Sequence, residues 1–322
     1  MKQARVVWQW LSLGLCLLLC VPAQAQGPAA TGTDSQKSQK QEPTFRVNVR
    51  LVNVFATVTD SHGAPVASLT KTDFRVLEDG VLQNISVFDR ESELPLSIVL
   101  AVDTSESTRR DFALEVASAR KFAHSIVRPM DRLAVFEITE NVDLITRFTS
   151  DLRSIDRGIE NLRVGAGTSL YDAIYLCSES LMDRQGRKVL VLITDGGDTT
   201  SKATYHSALR RAQQAEAIVY SIIVVPVAAD AGRNLGGEHA LIQISKDTGG
   251  KYYYAESITQ LDEAFRQISN ELRTQYLIAY YPSRRISDSP FRRIQLELTK
   301  KDPDGKEYQL RHRAGYYTAP AK

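Results

Sequence analysis

From Leu96 onward, short apolar runs alternate with longer segments in which apolar residues recur every three to four positions. The runs LSIVLAVD (96–103), LAVFEIT (133–139), VDLITRFT (142–149), KVLVLITD (188–195), AIVYSIIVV (217–225) and KYYYAES (251–257) predict strands. Helical spacing predicts helices over FALEVASARKFAHSIV (112–127), LRSIDRGIENL (152–162), SLYDAIYLCSESLMD (169–183), HSALRRAQQAE (206–216), ALIQISKDT (240–248) and ITQLDEAFRQISNELRTQ (258–275). Strands that alternate with helices define the α/β class, here a doubly wound, mostly parallel six-stranded sheet with helices on both faces. Only Glu140 and Asn141 separate the second and third strands. No crossover helix fits there, so that pair is expected as an antiparallel hairpin at one sheet edge. The first and fourth strands are almost continuously apolar, as central strands covered on both faces should be.

The pattern differs on either side. FRVNVRLVNVFATVTD (45–60) alternates with a slip in period, SHGAP supplies a turn, LTKTDFRVLEDG (69–80) predicts a second strand, and VLQNISVFDRE (81–91) predicts a third. After Gln275 come YLIAYYPS, FRRIQLELTKK, a DPDGK turn and YQLRHRAGYYT, again three strands. About fifty residues seldom bury enough surface to stand alone. The two flanks are therefore expected to form one small β-sandwich that the α/β unit interrupts. The expected organisation is a signal peptide over 1–25, a flexible leader over 26–43, an N-terminal β segment over 44–93, the α/β domain over 94–275 and a C-terminal β segment over 276–322.

The first residues carry Lys2 and Arg5, an apolar run to Val21, and Ala23-Gln24-Ala25, a small-x-small cleavage pattern. This predicts a secretory signal cleaved near Ala25, and a secreted or periplasmic protein. The competing membrane-anchor reading meets an apolar run broken at Gln9 and shorter than the roughly 20 residues of a span. A lipoprotein signal fits less well, because Cys16 and Cys20 both follow leucine. With Lys2 and Arg5 removed, the formal charge of +2 falls to about zero. A neutral mature chain gives no electrostatic reason to expect nucleic acid or an anionic membrane as partner, and no transmembrane segment is expected in it. Cys177 then remains as the single cysteine, at helical spacing with Leu170, Ile174 and Leu181, which marks it as a buried apolar residue or a reactive thiol.

Ligands of a doubly wound sheet bind beyond the carboxyl ends of its strands, where the strand order reverses. In the order 3-2-1-4-5-6 that point lies between the first and fourth strands. The first ends in Asp103-Thr104-Ser105-Glu106-Ser107 and the fourth in Thr194-Asp195-Gly196-Gly197-Asp198, while VGAGTSLYDA offers Thr168 after Gly165 and Gly167. Carboxylates and hydroxyls without a nearby His or Cys form an all-oxygen set that suits a hard divalent cation, Mg²⁺ first and Mn²⁺ or Ca²⁺ as alternatives.

Here the chain resembles the von Willebrand factor type A (VWA) family with its metal-ion-dependent adhesion site. The family's D-x-S-x-S stands as DTSES, its downstream threonine as Thr168, and its fourth-strand aspartate as Asp195 in LITDGGD. The resemblance implies that Asp103, Ser105, Ser107, Thr168 and Asp195 hold the metal directly or through water. It also implies binding without turnover, with an acidic residue of a protein partner completing the metal's shell. In family members that regulate affinity the last helix moves, which by resemblance gives ITQLDEAFRQISNELRTQ a linking role. The flanks resemble a secreted, acidobacterial-type bacterial subgroup of VWA-related proteins.

Plainer readings stand beside these. The same oxygens also suit helix caps and tight turns, with Ser107 as an N-cap. Asp172 and Asp198 either orient a ligand from behind or face solvent, and Glu106 either tempers the site's attraction for an acidic partner or is solvated. The tyrosine pairs suit packing across strands or an aromatic platform for carbohydrate. Asn84-Ile85-Ser86 matches a glycosylation sequon. An enzyme is not expected: D-x-D-x-T would need an aspartate at Ser105, G-x-S-x-G and H-E-x-x-H are absent, and His62, His124, His206, His239 and His312 lack metal spacing. The alternative to an adhesion module is a structural element of a cell-envelope assembly in which metal only stabilises the loops. A chelatase-like partner for an ATPase conflicts with export.

Overall fold

The computed structural model describes residues 51–90, 93–105, 112–225, 234–284, 290–303 and 305–318, without the side chains of 113 and 114. The expected signal peptide, leader and first residues of the N-terminal β segment lie outside the described residues, as do Glu106 and Ser107.

In chain order the elements are β1 (Val52–Thr59), β2 (Phe74–Glu78), β3 (Val81–Gln83), β4 (Ile85–Arg90), β5 (Leu96–Asp103), α1 (Phe112–Ile126), β6 (Arg132–Ile138), β7 (Val142–Thr149), α2 (Leu152–Glu160) and α3 (Leu170–Leu181). There follow β8 (Arg187–Thr194), α4 (Tyr205–Ala215), β9 (Ala217–Val224), α5 (Leu235–Thr248), β10 (Tyr252–Ala255), α6 (Ile258–Thr274), β11 (Tyr276–Tyr280), β12 (Phe291–Leu298), β13 (Gln309–Arg311) and β14 (Gly315–Tyr317).

Strands β5 to β10 form one sheet in the order β10-β9-β8-β5-β6-β7, parallel except for the β6–β7 pair. This is the predicted order, with the hairpin at the edge. Every residue of β5 is buried, because alternate side chains enter different layers. Ile98, Leu100 and Val102 pack with Phe122 and Ile126 of α1, Ile155 of α2 and Phe265 of α6, whereas Val99 and Ala101 pack with Ile174 and Cys177 of α3, Ala212 of α4 and Leu241 of α5. Cys177 is fully buried, and burial pushes its thiol pKa up, so it is a core residue and an inert thiol.

Local chemistry starts and stops the helices. The Asp151 side chain accepts from Ser154 N to begin α2, and Asn234 does the same for Gly237 N at α5. Gly249, at φ +84°, ends α5 in the left-handed conformation. Helix α5 begins five residues earlier than its sequence pattern indicates, because its first turn contains Gly236 and Gly237, poor helix formers that the cap compensates.

The flanks pair with each other in two four-stranded sheets, β13-β1-β11-β4 and β14-β12-β2-β3, so each sheet takes strands from both ends of the chain. Their facing residues, including Val54, Val58, Phe74, Val76, Ile278 and Ile294, form a third core. One correction concerns the count. VLQNISVFDRE and YQLRHRAGYYT each divide into two strands that join different sheets, giving four strands on each flank in place of three. The alternation continues through each break, so periodicity alone does not reveal the change of sheet.

Two ionic clusters, the first fully buried and the second partly exposed, lie in this part of the molecule. Inside the sandwich, Arg292 pairs with Glu78, both 1% exposed, and the Tyr280 and Tyr316 hydroxyls each donate to Glu78 Oε2 at 2.8 Å. At the junction, Arg311 of β13 lies 2.7 Å from Glu271 of α6, and Gln275 alone separates α6 from β11.

Candidate functional site

The carboxyl ends of β5 and β8 are adjacent in the sheet, in register up to Val102 opposite Ile193. The next residues, Asp103 and Thr194, therefore meet across the strand ends. Thr194 Oγ1 donates to Asp103 Oδ2 at 2.7 Å, and Ser105 N donates to Asp103 Oδ1 at 3.0 Å. Asp103 is 0% exposed, Ser105 and Thr168 are each 4% exposed, and Asp195 is half-buried. Burial, joined by the nearby Asp195 carboxylate, pushes the Asp103 pKa up to about 6 against the lowering effect of its hydrogen bonds.

The third loop is stitched to the first. Gly165 N donates to Thr104 O at 3.0 Å, and Gly165 bridges Ser105 in parallel β fashion. A Cβ at Gly165 would lie 2.5 Å from the Thr139 side chain, so only glycine lets this loop approach the β6–β7 hairpin so closely. On the hairpin, Glu140 Oε2 accepts from Ala166 N at 3.1 Å and Gly167 N at 3.3 Å. Its own backbone N–H, joined by those of Ala166 and Gly167, holds the Glu140 carboxyl below its ordinary pKa. Thr168 is held from the β8 side: its N–H donates to Thr199 Oγ1 at 3.0 Å and its carbonyl accepts from Thr199 N at 2.9 Å.

The Asp195 turn is shaped by glycine. Asp195 Oδ1 accepts from Gly197 N at 2.8 Å, Gly196 sits at φ +84°, and its N–H donates to Thr194 Oγ1 at 3.1 Å. The first turn of α5 rests on it so closely that a Cβ at Gly237 would lie 1.6 Å from Gly196 O.

Asp103, Ser105, Thr168 and Asp195 are thus carried by three interlocked loops at one end of the sheet; Ser107 and Glu106 lie outside the described residues. Asp198 and Asp172 hold backbone. Asp198 Oδ1 accepts from Leu170 N at 2.9 Å and from Ser201 Oγ at 2.5 Å, which fixes the start of α3. Asp172 accepts from Lys202 N at 3.0 Å and Ala203 N at 2.6 Å. Sequence reasoning missed Thr194, Glu140 and Thr199. Each acts through a hydrogen bond to a residue at least 26 positions away, which no short motif encodes.

The donor chemistry fits a hard divalent cation. A deeply buried carboxylate beside a second carboxylate, in an all-oxygen set, is disfavoured as an anion unless a cation joins it. Among the described residues no three His, Cys, Asp or Glu side chains gather to hold a metal, so hydroxyl oxygens and water are needed to complete such a shell.

Fold and site together define a doubly wound α/β domain with a cluster of oxygen-bearing side chains at the switch between β5 and β8. Residues 98–197 match the family model described as the von Willebrand factor type A domain, which supports that family for this unit. The matched segment contains all four described candidate ligands. No curated protein matches the chain. Among solved structures, the chain is similar to the conserved hypothetical protein BatB from Bacteroides thetaiotaomicron, at 18% identity over 56% of this chain and 100% of that one, with a TM-score of 0.44. It is also similar to the vWF domain of the type V pili tip protein Mfa5 from Porphyromonas gingivalis, at 13% identity over 55% and 94%, with a TM-score of 0.45. A von Willebrand factor type A structure from Catenulispora acidiphila is 12% identical over 84% of this chain and 75% of that one, with a TM-score of 0.47. Among the described residues no helix is long and apolar enough to cross a membrane.

Proposed function

We propose that this protein binds a protein partner through a divalent cation, Mg²⁺ in first place, held by Asp103, Ser105, Thr168 and Asp195, with Ser107 joining from beyond the described residues. The observation that carries the reading is the Asp103 carboxylate, 0% exposed and set beside Asp195 at the junction of three loops. Neutral hydroxyl ligands leave much of a cation's charge unspent, and that charge attracts an acidic side chain of the partner. The reading is one of binding without turnover. The signal pattern over residues 1–25 supports a secreted or periplasmic setting for it.

The alternative gives the metal a structural role within an envelope assembly. The loops argue against it, since Glu140, Thr199, Asp198 and Asp172 hold them by hydrogen bonds that need no ion. Metal removal separates the two. The adhesion reading expects pull-down of an envelope partner with Mg²⁺ and its loss with EDTA or in a folded Asp103→Ala variant, with a modest fall in melting temperature. The structural reading expects a large fall in melting temperature instead. Partner capture that survives both EDTA and Asp103→Ala sinks the proposal.

A further inference from the structure

We infer that Thr194, which stands outside the five-residue ligand set, is the positioning residue that aims the Asp103 carboxylate and couples it to the Asp195 turn; the inference rests on the metal-binding reading above. Thr194 is the last residue of β8 and is 0% exposed. A threonine hydroxyl has one proton to give and can accept besides. Here the proton goes to Asp103 Oδ2 at 2.7 Å, and the oxygen accepts from Gly196 N at 3.1 Å. One oxygen atom therefore joins the two turns that carry the two candidate carboxylate ligands.

The placement is rigid. Thr194 is paired on its β9 side in register with Ile223, while β5 lies on its other side. The bond to Asp103 Oδ2 and the bond from Gly196 N together fix the direction of its hydroxyl. Asp103 is gripped at both oxygens, by Thr194 on Oδ2 and by Ser105 N on Oδ1. Rotation of the carboxylate breaks one or both bonds, and with 0% exposure water is a poor replacement. Valine at 194 keeps the shape and removes both hydrogen bonds. Asp103 and the Asp195 turn then lose their common anchor, and cation affinity should fall by about 10- to 100-fold, the usual effect of removing a group that orients a metal ligand.

The experiment titrates Mn²⁺ alone into the full chain and into Thr194→Val and Thr194→Ser. Binding is read from the loss of the free-ion electron paramagnetic resonance signal, and folding from circular dichroism and the urea midpoint. The expected result is a dissociation constant raised about 10- to 100-fold in folded Thr194→Val, with Thr194→Ser close to the natural chain. A merely structural threonine would change the urea midpoint and leave Mn²⁺ affinity of the folded variant intact, which overturns the inference. Equal weakening in Thr194→Ser also overturns it, since the methyl group would then be responsible. If Thr194→Val does not fold, Thr194→Ala decides: an affinity lowered about 10- to 100-fold in the folded protein upholds the inference, and near-natural affinity ends it. A natural chain that takes up no Mn²⁺ removes the metal-binding reading and this inference together, whereas unchanged binding by folded Thr194→Val removes the inference alone.

Discussion

Replacing Asp103 with asparagine should stabilise the metal-free protein at neutral pH and abolish its response to Mg²⁺. Asparagine keeps the size of the side chain, still accepts from Ser105 N, and removes the buried charge. In the folded chain the Asp103 pKa is pushed from the ordinary 3.8 up to about 6. The folded state therefore keeps this proton to higher pH than the unfolded state does. Stability falls as pH rises from about 4 to about 6 and is then flat, the reverse of a salt-bridged carboxylate. Two units of difference correspond to about 3 kcal/mol, which is the largest gain expected for Asp103→Asn at pH 7 in EDTA, shrinking to near zero at pH 4. Mg²⁺ at a hundred times its dissociation constant would return about 2.7 kcal/mol to the natural chain and nothing to the variant, so the gap should nearly close. Urea unfolding by circular dichroism from pH 4 to 8, with EDTA or Mg²⁺, measures both effects. Equal pH slopes for the two proteins in EDTA would refute the reasoning.

Two further expectations follow from the packing. Glu78→Ala leaves the Arg292 cation buried in the sandwich without its carboxylate and should cost about 3–5 kcal/mol, with most of the loss recovered by replacing both residues with apolar ones; thermal unfolding checks this. Gly237→Ala drives a Cβ into Gly196 O and must push α5 off the Asp195 turn, costing about 1–3 kcal/mol or more and weakening Mn²⁺ uptake, read by urea unfolding and Mn²⁺ titration.

The architecture of the α/β unit was legible because periodicity reports burial directly. The apolar run of β5, the short Glu140-Asn141 link and the amphipathic helices marked a doubly wound sheet with a hairpin at one edge, and the structure has the common strand order of that class. Where the sequence misled, tertiary contacts decided. The start of α5 is helical despite Gly236 and Gly237 because Asn234 caps it, and glycine at 237 is what close packing on Gly196 demands. The changes of sheet at Asn84 and after Arg311 leave no mark in the alternation. At the site, the ligand candidates were visible as a motif with fixed spacing. Their supports were not, because Thr194, Glu140 and Thr199 are ordinary strand-end and turn residues until the fold brings their partners to them.

The shared sandwich has a mechanical consequence. Because β1, β2 and β4 come before the α/β unit and β11 to β14 come after it, tension drawn between the two flanks passes first through the ladders β1–β11, β1–β13, β4–β11 and β2–β12. The α/β unit hangs from this closed clasp as a side loop that carries no pull while the clasp holds. A tether on either flank can thus be strained without distorting the side chains gathered at the carboxyl ends of β5 and β8, and the site feels force only after the sandwich has parted.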